Sequence, residues 1–399
     1  MLAAIALHGA SLDTKPDIAR TSIAGPRDGF AQRLYRRIML RTWKYLYFGN
    51  VRVMNRVPVQ PGTLYLSTHR NGGIDGAIAH CAAGGAPVPV AASQITRSLW
   101  GRWTGCIEVV RATDRVRHGH AATARDPLAD ALSRLAAGES LLWFPEGTSD
   151  GGPQLLPIKR GAARLLAVAV GQGVAVRVVV MGLHYQAMDA LQSDVEVEVS
   201  EPLELQPSAL ATIAVDMRTG QIQQRIETAL RASSIEYPDI ETQLAIETLT
   251  ARLELPIIQT RRALLRLTLP KLNEWSRRAR VAARIPPALA WPWLLPWISA
   301  AIVWLPTLAI VYAITRRADR NNKAFIRSLL AMPLIAINLA LSSWIVALSG
   351  VHWPLAVLLV ALSLPLGLLV HRQLRRAQSR IPALRRLHDD IVSHGLKNA

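Results

Sequence analysis

Cysteine, acidic side chains and phenylalanine are scarce in this chain. Cys81 and Cys106 are its only cysteines, with no Cys-x-x-Cys spacing, which sets aside a disulfide-stapled fold and points to a reducing compartment. Asp and Glu number 28 against 46 Lys and Arg, leaving a formal charge of +18. Such an excess needs an anionic partner, nucleic acid or an anionic bilayer. No zinc-ligand pattern, RNA-reading aromatic signature or basic zipper is present, and the arginines gather beside apolar segments. A membrane is the expected partner, and nucleic acid is not. Residues 1–10 lack the charged lead and long apolar core of a signal peptide, so the N-terminal part is expected to stay unexported. No internal repeat stands out.

Apolar residues, in contrast, are plentiful. Half of the 399 residues are hydrophobic and the mean hydropathy is +0.20, enough for one sizeable domain and a membrane-embedded part. Residues 1–30 mix Gly, Pro, Asp and Arg without period, as a flexible tail does. From Gln32 to Phe48, Arg33, Arg37, Arg41 and Lys44 recur at helical spacing, with Leu34, Ile38, Met39, Trp43 and Leu46 mostly elsewhere around the wheel. This predicts a basic amphipathic helix, either at the lipid interface or packed on the domain with solvated arginines. From there to about residue 205, short apolar strands alternate with helical patterns, predicting an α/β domain with a mixed sheet flanked by helices. Val195–Val199, alternating Val with Glu, has the pattern of a half-exposed edge strand.

Two stretches carry the chemistry. In Ser67-Thr68-His69-Arg70-Asn71-Gly72-Gly73-Ile74-Asp75, an imidazole and a carboxylate flank a Gly-Gly turn after the apolar run Thr63–Leu66. Residues six apart point to different faces of a helix, so His69 and Asp75 meet only if the chain folds between them, as glycines permit. A carboxylate-held imidazole can take the proton of a hydroxyl attacking a carbonyl. The second stretch, Trp143-Phe144-Pro145-Glu146-Gly147-Thr148-Ser149-Asp150, is a turn rich in backbone N–H groups and hydroxyls, suited to an anion.

These blocks, followed in order along the chain, resemble the glycerolipid acyltransferase family. The match comprises His69 to Asp75, Gly105-Cys106-Ile107-Glu108-Val109-Val110-Arg111, Phe144 to Thr148 and the apolar strand Val176 to Leu183, spanning roughly residues 45–205. The resemblance implies a glycerophosphate acyltransferase-like fold and transfer of a fatty acyl group from an acyl-CoA or acyl-carrier-protein thioester to glycerol phosphate or a lysolipid. It implies His69 as general base, Asp75 as its orienter, Arg111 on the acceptor phosphate, and Glu146, Gly147 and Thr148 as the acceptor-binding turn. Because a carboxylate does not attract phosphate, Glu146 is expected to hold a glycerol hydroxyl or to fix Arg111. No metal or prosthetic group is implied; the thioester is a substrate.

Two departures bear on the acceptor. Five residues separate His69 from Asp75 where most of the family has four, and Ser149 stands where most relatives have Arg. Lys159, in Leu155-Leu156-Pro157-Ile158-Lys159-Arg160-Gly161, is the nearest replacement for that charge, beside a helix start that also favours anions; the alternative is a solvated lysine. The longer spacing resembles a subgroup with fungal glycerol-3-phosphate and dihydroxyacetone-phosphate acyltransferases, and related Glu-Gly-Thr-Ser blocks occur in bacterial lyso-ornithine-lipid acyltransferases. Arg111 could instead pair with Glu108 or Asp114. The group Asp114, His118 and His120 lacks a fourth metal ligand and has the composition of an Arg-rich loop.

Beyond the domain, residues 206–284 have helical patterns only and end in a basic cluster, Arg277 to Arg284. Residues 285–370 are the expected membrane segments. The second hydrophobic block, Leu329 to Val370, suits two spans turning at Gly350–Pro354. The first, Ile285 to Ile314, is broken by Pro286, Pro287, Pro292, Pro296 and Pro306 and is expected to form a re-entrant or interfacial hairpin, with a single tilted span as the alternative. A basic tail, 371–399, follows. A further basic cluster, Arg316, Arg317, Arg320, Lys323 and Arg327, separates the two blocks, and all three clusters favour the cytoplasmic face.

Overall fold

The computed structural model describes residues 29–84, 87–92, 96, 104–109, 126–203, 205, 212–253, 255–282, 291–379, 382–391 and 393. Its centre is a seven-stranded mixed sheet, built from β1 (Phe48–Met54), β2 (Thr63–Ser67), β3 (Val88–Ala92), β4 (Ile107–Val109), β5 (Leu141–Trp143), β6 (Arg177–Tyr185) and β7 (Ser193–Val199), in the order β1-β7-β6-β2-β5-β3-β4. β2 is parallel to both β5 and β6, while β7 runs antiparallel to β6 and parallel to β1. Strand β1 was not expected from the sequence. By covering β7 it corrects the expectation of an edge strand: β7 lies inside the sheet, and Glu196 is buried, accepting the Ile258 N–H at 2.9 Å.

The central strands β2 and β6 are buried on both faces, and their two-residue period divides the core. Tyr65, Val179, Met181, Leu183 and Tyr185 pack on one face with α1 (Phe30–Tyr47) and α2 (Ile74–Ala82). Leu64, Leu66, Val178 and Val180 pack on the other with α3 (Pro127–Ala136), α4 (Gly161–Gly171) and α5 (Val215–Ala232). Helix α3 starts as its sequence dictates: Asp126 accepts the Leu128 N–H at 3.0 Å and Pro127 takes the first turn. On α1, Arg36 is buried and donates to the Thr104 carbonyl at 2.6 Å, and Leu40 and Tyr47 are buried with it. Phe30, Leu34 and Ile38, one helical turn apart, are exposed.

A third core joins α6 (Ile240–Arg252), α7 (Ile257–Leu264), α8 (Leu269–Ala282) and α12 (Pro382–Ile391), through residues such as Ile246, Leu264, Leu272, Trp275, Leu384 and Ile391. The basic segment before the hydrophobic blocks and the one after them therefore share one core beside the sheet.

The hydrophobic blocks form three mutually packed helices, α9 (Trp291–Thr315), α10 (Arg320–Leu348) and α11 (Trp353–Ser379). Among the described residues two helical stretches, Arg320–Leu348 and Trp353–Arg375, are long and apolar enough to cross a bilayer. They turn at Gly350, whose φ of +91° suits glycine. The first block departs from the hairpin expected of it: α9 is unbroken from 291 to 315. Pro292 falls in the first turn, where no N–H is needed. Asn338 donates to the Val303 carbonyl and Trp304 to Ser363 Oγ, both at 2.9 Å. Thr315 lies beside Arg327, which donates to its hydroxyl at 3.2 Å, so α9 runs antiparallel to α10. Bulky apolar side chains such as Leu341, Trp344, Ile345, Leu358 and Leu362 are more than half exposed on the bundle's outside. At its root, Arg320 pairs with Glu247, Arg327 donates to the Asp189 carbonyl at 2.6 Å, and Arg375 to the Leu191 carbonyl at 3.0 Å.

Candidate active site

Parallel β2 and β5 place the two sequence blocks at one carboxyl edge of the sheet, since Leu66 pairs with Trp143 and the turns follow directly. Such crevices beyond parallel strand ends are common binding sites. After Ser67 the chain turns through Gly72, whose φ is +56°, and enters α2, with Asp75 in its first turn. The fold between the two residues brings His69 Nδ1 to 2.8 Å from Asp75 Oδ2.

Asp75 is fully buried. Its Oδ2 also accepts the Asn71 N–H at 2.6 Å, and its Oδ1 accepts the hydroxyl of Tyr185 at the end of β6. Burial and the adjacent carboxylate hold the Tyr185 hydroxyl well above the usual phenol range, so it remains a donor. An ionised carboxylate only accepts. The imidazole proton therefore sits on Nδ1, and Nε2 keeps its lone pair. The ring stacks on Phe144, centroids 4.4 Å apart and planes at 27°.

Glu146 is engaged by backbone amides of both loops. It is buried, and its two oxygens accept the backbone N–H groups of His69, at 2.6 Å, and Leu156, at 3.2 Å. Both oxygens thus tie neighbouring loops together. Burial raises its carboxyl above the usual range, while these two amides, Arg70 and His69 oppose the rise. The loops are further joined by the Asp150 N–H to the His69 carbonyl at 2.9 Å. Buried Arg70 donates to the carbonyls of Gly152, at 2.8 Å, and Gln154, at 3.1 Å. Gly147 has φ +74°, and an added Cβ would meet the Lys159 chain at 3.1–3.3 Å, its Nζ included. The Lys159 ammonium therefore lies over the Glu146–Thr148 turn, although the residue is exposed. Arg111, Asp114, His118 and His120 lie outside the described residues.

Several residues at the site were not anticipated from the sequence. Tyr185 and Asn71 hold Asp75. The first turn of α10, well over a hundred residues on, covers the Gly-Gly turn. A Cβ on Gly72 would lie 2.5 Å from Asn322 Oδ1, and one on Gly73 would lie 2.5 Å from the Phe325 ring. Asn321 donates to the Ser149 carbonyl at 3.0 Å. A buried tyrosine hydroxyl needs a partner, but nothing in the sequence marked Tyr185 as buried, and nothing in residues 320–325 pointed to the site.

Among solved structures, that of the 1-acyl-sn-glycerophosphate (LPA) acyltransferase PlsC from Thermotoga maritima is similar at 15% identity and a TM-score of 0.35, over 50% of this chain and 78% of that one. No curated protein matches the chain. The family model for Acyltransferase matches residues 50–191, which contain both turns and five of the seven strands in full. That segment is similar to the Acyltransferase family.

Proposed function

We propose that the protein is a membrane-bound O-acyltransferase that moves a fatty acyl group from an acyl-CoA or acyl-carrier-protein thioester to a hydroxyl of glycerol 3-phosphate or lysophosphatidate. The observation that carries this reading is the 2.8 Å contact between His69 Nδ1 and buried Asp75, which leaves Nε2 as a base with no partner among the described residues. In the reaction, Nε2 takes the acceptor hydroxyl proton as its oxygen attacks the thioester carbonyl carbon. The C–S bond then breaks, and the imidazolium returns the proton to the departing thiolate. No serine or cysteine is acylated. Asp75 stabilises the imidazolium, and Tyr185 and Asn71 keep Asp75 fixed.

Acceptor binding falls to the Glu146–Gly147–Thr148 turn with Lys159 over it, and to Arg111 by resemblance. Glu146 shapes the turn, and Lys159 supplies the charge that Ser149 does not. The apolar exterior of α10 and α11 supports membrane attachment, and the exposed stripe Phe30, Leu34 and Ile38 on α1 supports a lipid-facing side for that helix. A cytoplasmic catalytic face follows from the basic flanks. Ser149 and the longer His–Asp spacing favour a second acceptor reading, lyso-ornithine lipid or another lysolipid. A non-catalytic lipid-binding protein would need neither His69 nor Asp75.

Acyl transfer from radiolabelled palmitoyl thioester to glycerol 3-phosphate, lysophosphatidate, lyso-ornithine lipid and other lysolipids tests the proposal. Labelled product with a glycerol phosphate acceptor is expected. Product only with an uncharged acceptor would overturn the phosphate assignment, and none with any acceptor would overturn the enzyme reading.

A further inference from the structure

Two adjoining cavities, of about 230 and 410 Å³, lie where the loop after β6, helix α6 and the roots of α10 and α11 meet. They share Gln186, Ala251, Arg252 and Arg375 as walls. Arg320 closes the larger, and Arg52 and Arg372 the smaller. Four carboxylates also line them, and two of these are already engaged. Glu247 is held by Arg320 and by Gln243 at 2.9 Å, while Glu196 takes the Ile258 N–H and faces Arg52 at 3.7 Å. Asp189 and Asp194 are the remaining two.

On the cationic side, Arg252 and Arg372 make no ion pair or hydrogen bond among the described residues, and Arg372 Nε is buried with no partner. A buried guanidinium N–H without an acceptor is costly, and few are left so. Planar guanidinium groups match phosphate oxygens two at a time. The position narrows the source of that phosphate. Arg375 ends the apolar stretch Trp353–Arg375, and Arg320 begins Arg320–Leu348, so the cavities lie at the depth where headgroups meet a bilayer-embedded bundle.

We propose that this double cavity binds the phosphate of an anionic phospholipid headgroup, at a site separate from the acceptor turn, and that its occupancy raises turnover. The proposal rests on the membrane reading above. The coupling runs through the cavity wall: Gln186 directly follows Tyr185, and in the same loop the Met188 carbonyl accepts the Asn71 side-chain N–H at 2.9 Å. Tyr185 and Asn71 are the two residues that hold Asp75. Ordering the 186–192 loop around a bound headgroup would therefore order the His69 support.

The test uses the full chain in vesicles of phosphatidylcholine alone or with phosphatidylglycerol, with flotation, acyl-transfer rate and phosphatidylglycerol retained in native mass spectrometry as readouts. Wild type should float with both, retain phosphatidylglycerol and turn over faster with it. The double variant Arg252→Gln/Arg372→Gln should float and keep the phosphatidylcholine rate, but lose the stimulation and retain phosphatidylglycerol ~10-fold or more weakly. Arg252→Lys/Arg372→Lys should recover part of both. Wild-type retention and stimulation in the Gln pair would overturn the proposal, as would equal stimulation by inorganic phosphate in phosphatidylcholine vesicles, which would make the ligand a free anion. If the Gln pair misfolds, the Lys pair and wild type decide by lipid retention alone. Flotation of wild type without phosphatidylglycerol retention overturns this proposal and leaves the membrane reading intact; failure to float overturns both.

Discussion

The Tyr185 hydroxyl, at the end of β6, donates to Asp75 Oδ1, on the far side of the carboxylate from the oxygen that meets His69. The aspartate is thereby fixed from three directions, by a phenol, a backbone amide and an imidazole. Tyr185→Phe keeps the ring that packs on Phe48 at 5.4 Å and removes only the donor. A lost hydrogen bond to a charged group costs about 1.5–3 kcal/mol. The expected outcome is a fall in kcat of ~10–100-fold with little change in either KM. Steady-state kinetics on the purified variant check it, and an unchanged kcat would assign Tyr185 to stability alone.

Replacing His69 by Ala is expected to lower acyl transfer by ~10²–10⁴-fold with folding and membrane attachment retained, because the residue sits in a loop and contributes to the barrier more than to packing. Asp75→Asn should also leave little activity, since the imidazole loses the partner that fixes its tautomer. Turnover near wild type in His69→Ala at saturating substrate would rule out the mechanism.

Lys159→Ala is expected to raise the acceptor KM more than the donor KM, by roughly 10-fold or more if a charge-assisted contact worth about 1.5–3 kcal/mol is lost. Arg111→Ala should act in the same direction. Equal effects on both substrates would point to structural ion pairs instead.

Gly73→Ala should impair activity through α10, because the new methyl would meet the Phe325 ring at 2.5–2.9 Å. Paired with Phe325→Leu it should recover activity that Gly73→Ala alone has lost. Double-mutant-cycle kinetics measure this coupling, and strict additivity would separate the helix from the loop.

Burial, reinforced by Arg36 at His80 and by Arg261 at His184, lowers both imidazoles from 6.5 to about 3. In the folded chain both remain neutral while the unfolded chain takes up protons. Their contribution to stability is fully present above pH 6.5 and is lost as pH falls toward about 3. The slope approaches about 1.4 kcal/mol per pH unit for each group. Thermal unfolding in detergent across this range should show Tm falling with pH, and His184→Gln should flatten the fall.

Much of the architecture was legible in local patterns. The apolar strands β2 and β6 and the two long apolar helices follow from their apolar runs. The Gly-Gly turn likewise allowed His69 and Asp75 to be paired before any coordinates. What escaped depends on contacts distant in sequence. β1 is a short mixed stretch, Phe-Gly-Asn-Val-Arg-Val-Met, and only its pairing with β7 makes it a strand. β7 looked like an edge because Glu alternates with Val, yet Glu196 is buried by its bond to the Ile258 amide. Proline count argued for a break in α9, but packing against two neighbours outweighs local propensity. Glu146 was legible as part of the site and not as a brace, since nothing local shows that His69 and Leu156 aim their amides at it.

The packing of Asn322 and Phe325 on Gly72 and Gly73 also limits modularity. Residues 50–191 are the unit that homology delimits, yet a wall of the candidate site is supplied by a helix that starts at Arg320. Excising or transplanting that unit would leave both glycines facing solvent, free to visit conformations the helix forbids. A fragment would thus keep its sheet and lose one wall of the candidate site, and an exchange of C-terminal segments between related chains would exchange part of that site with them.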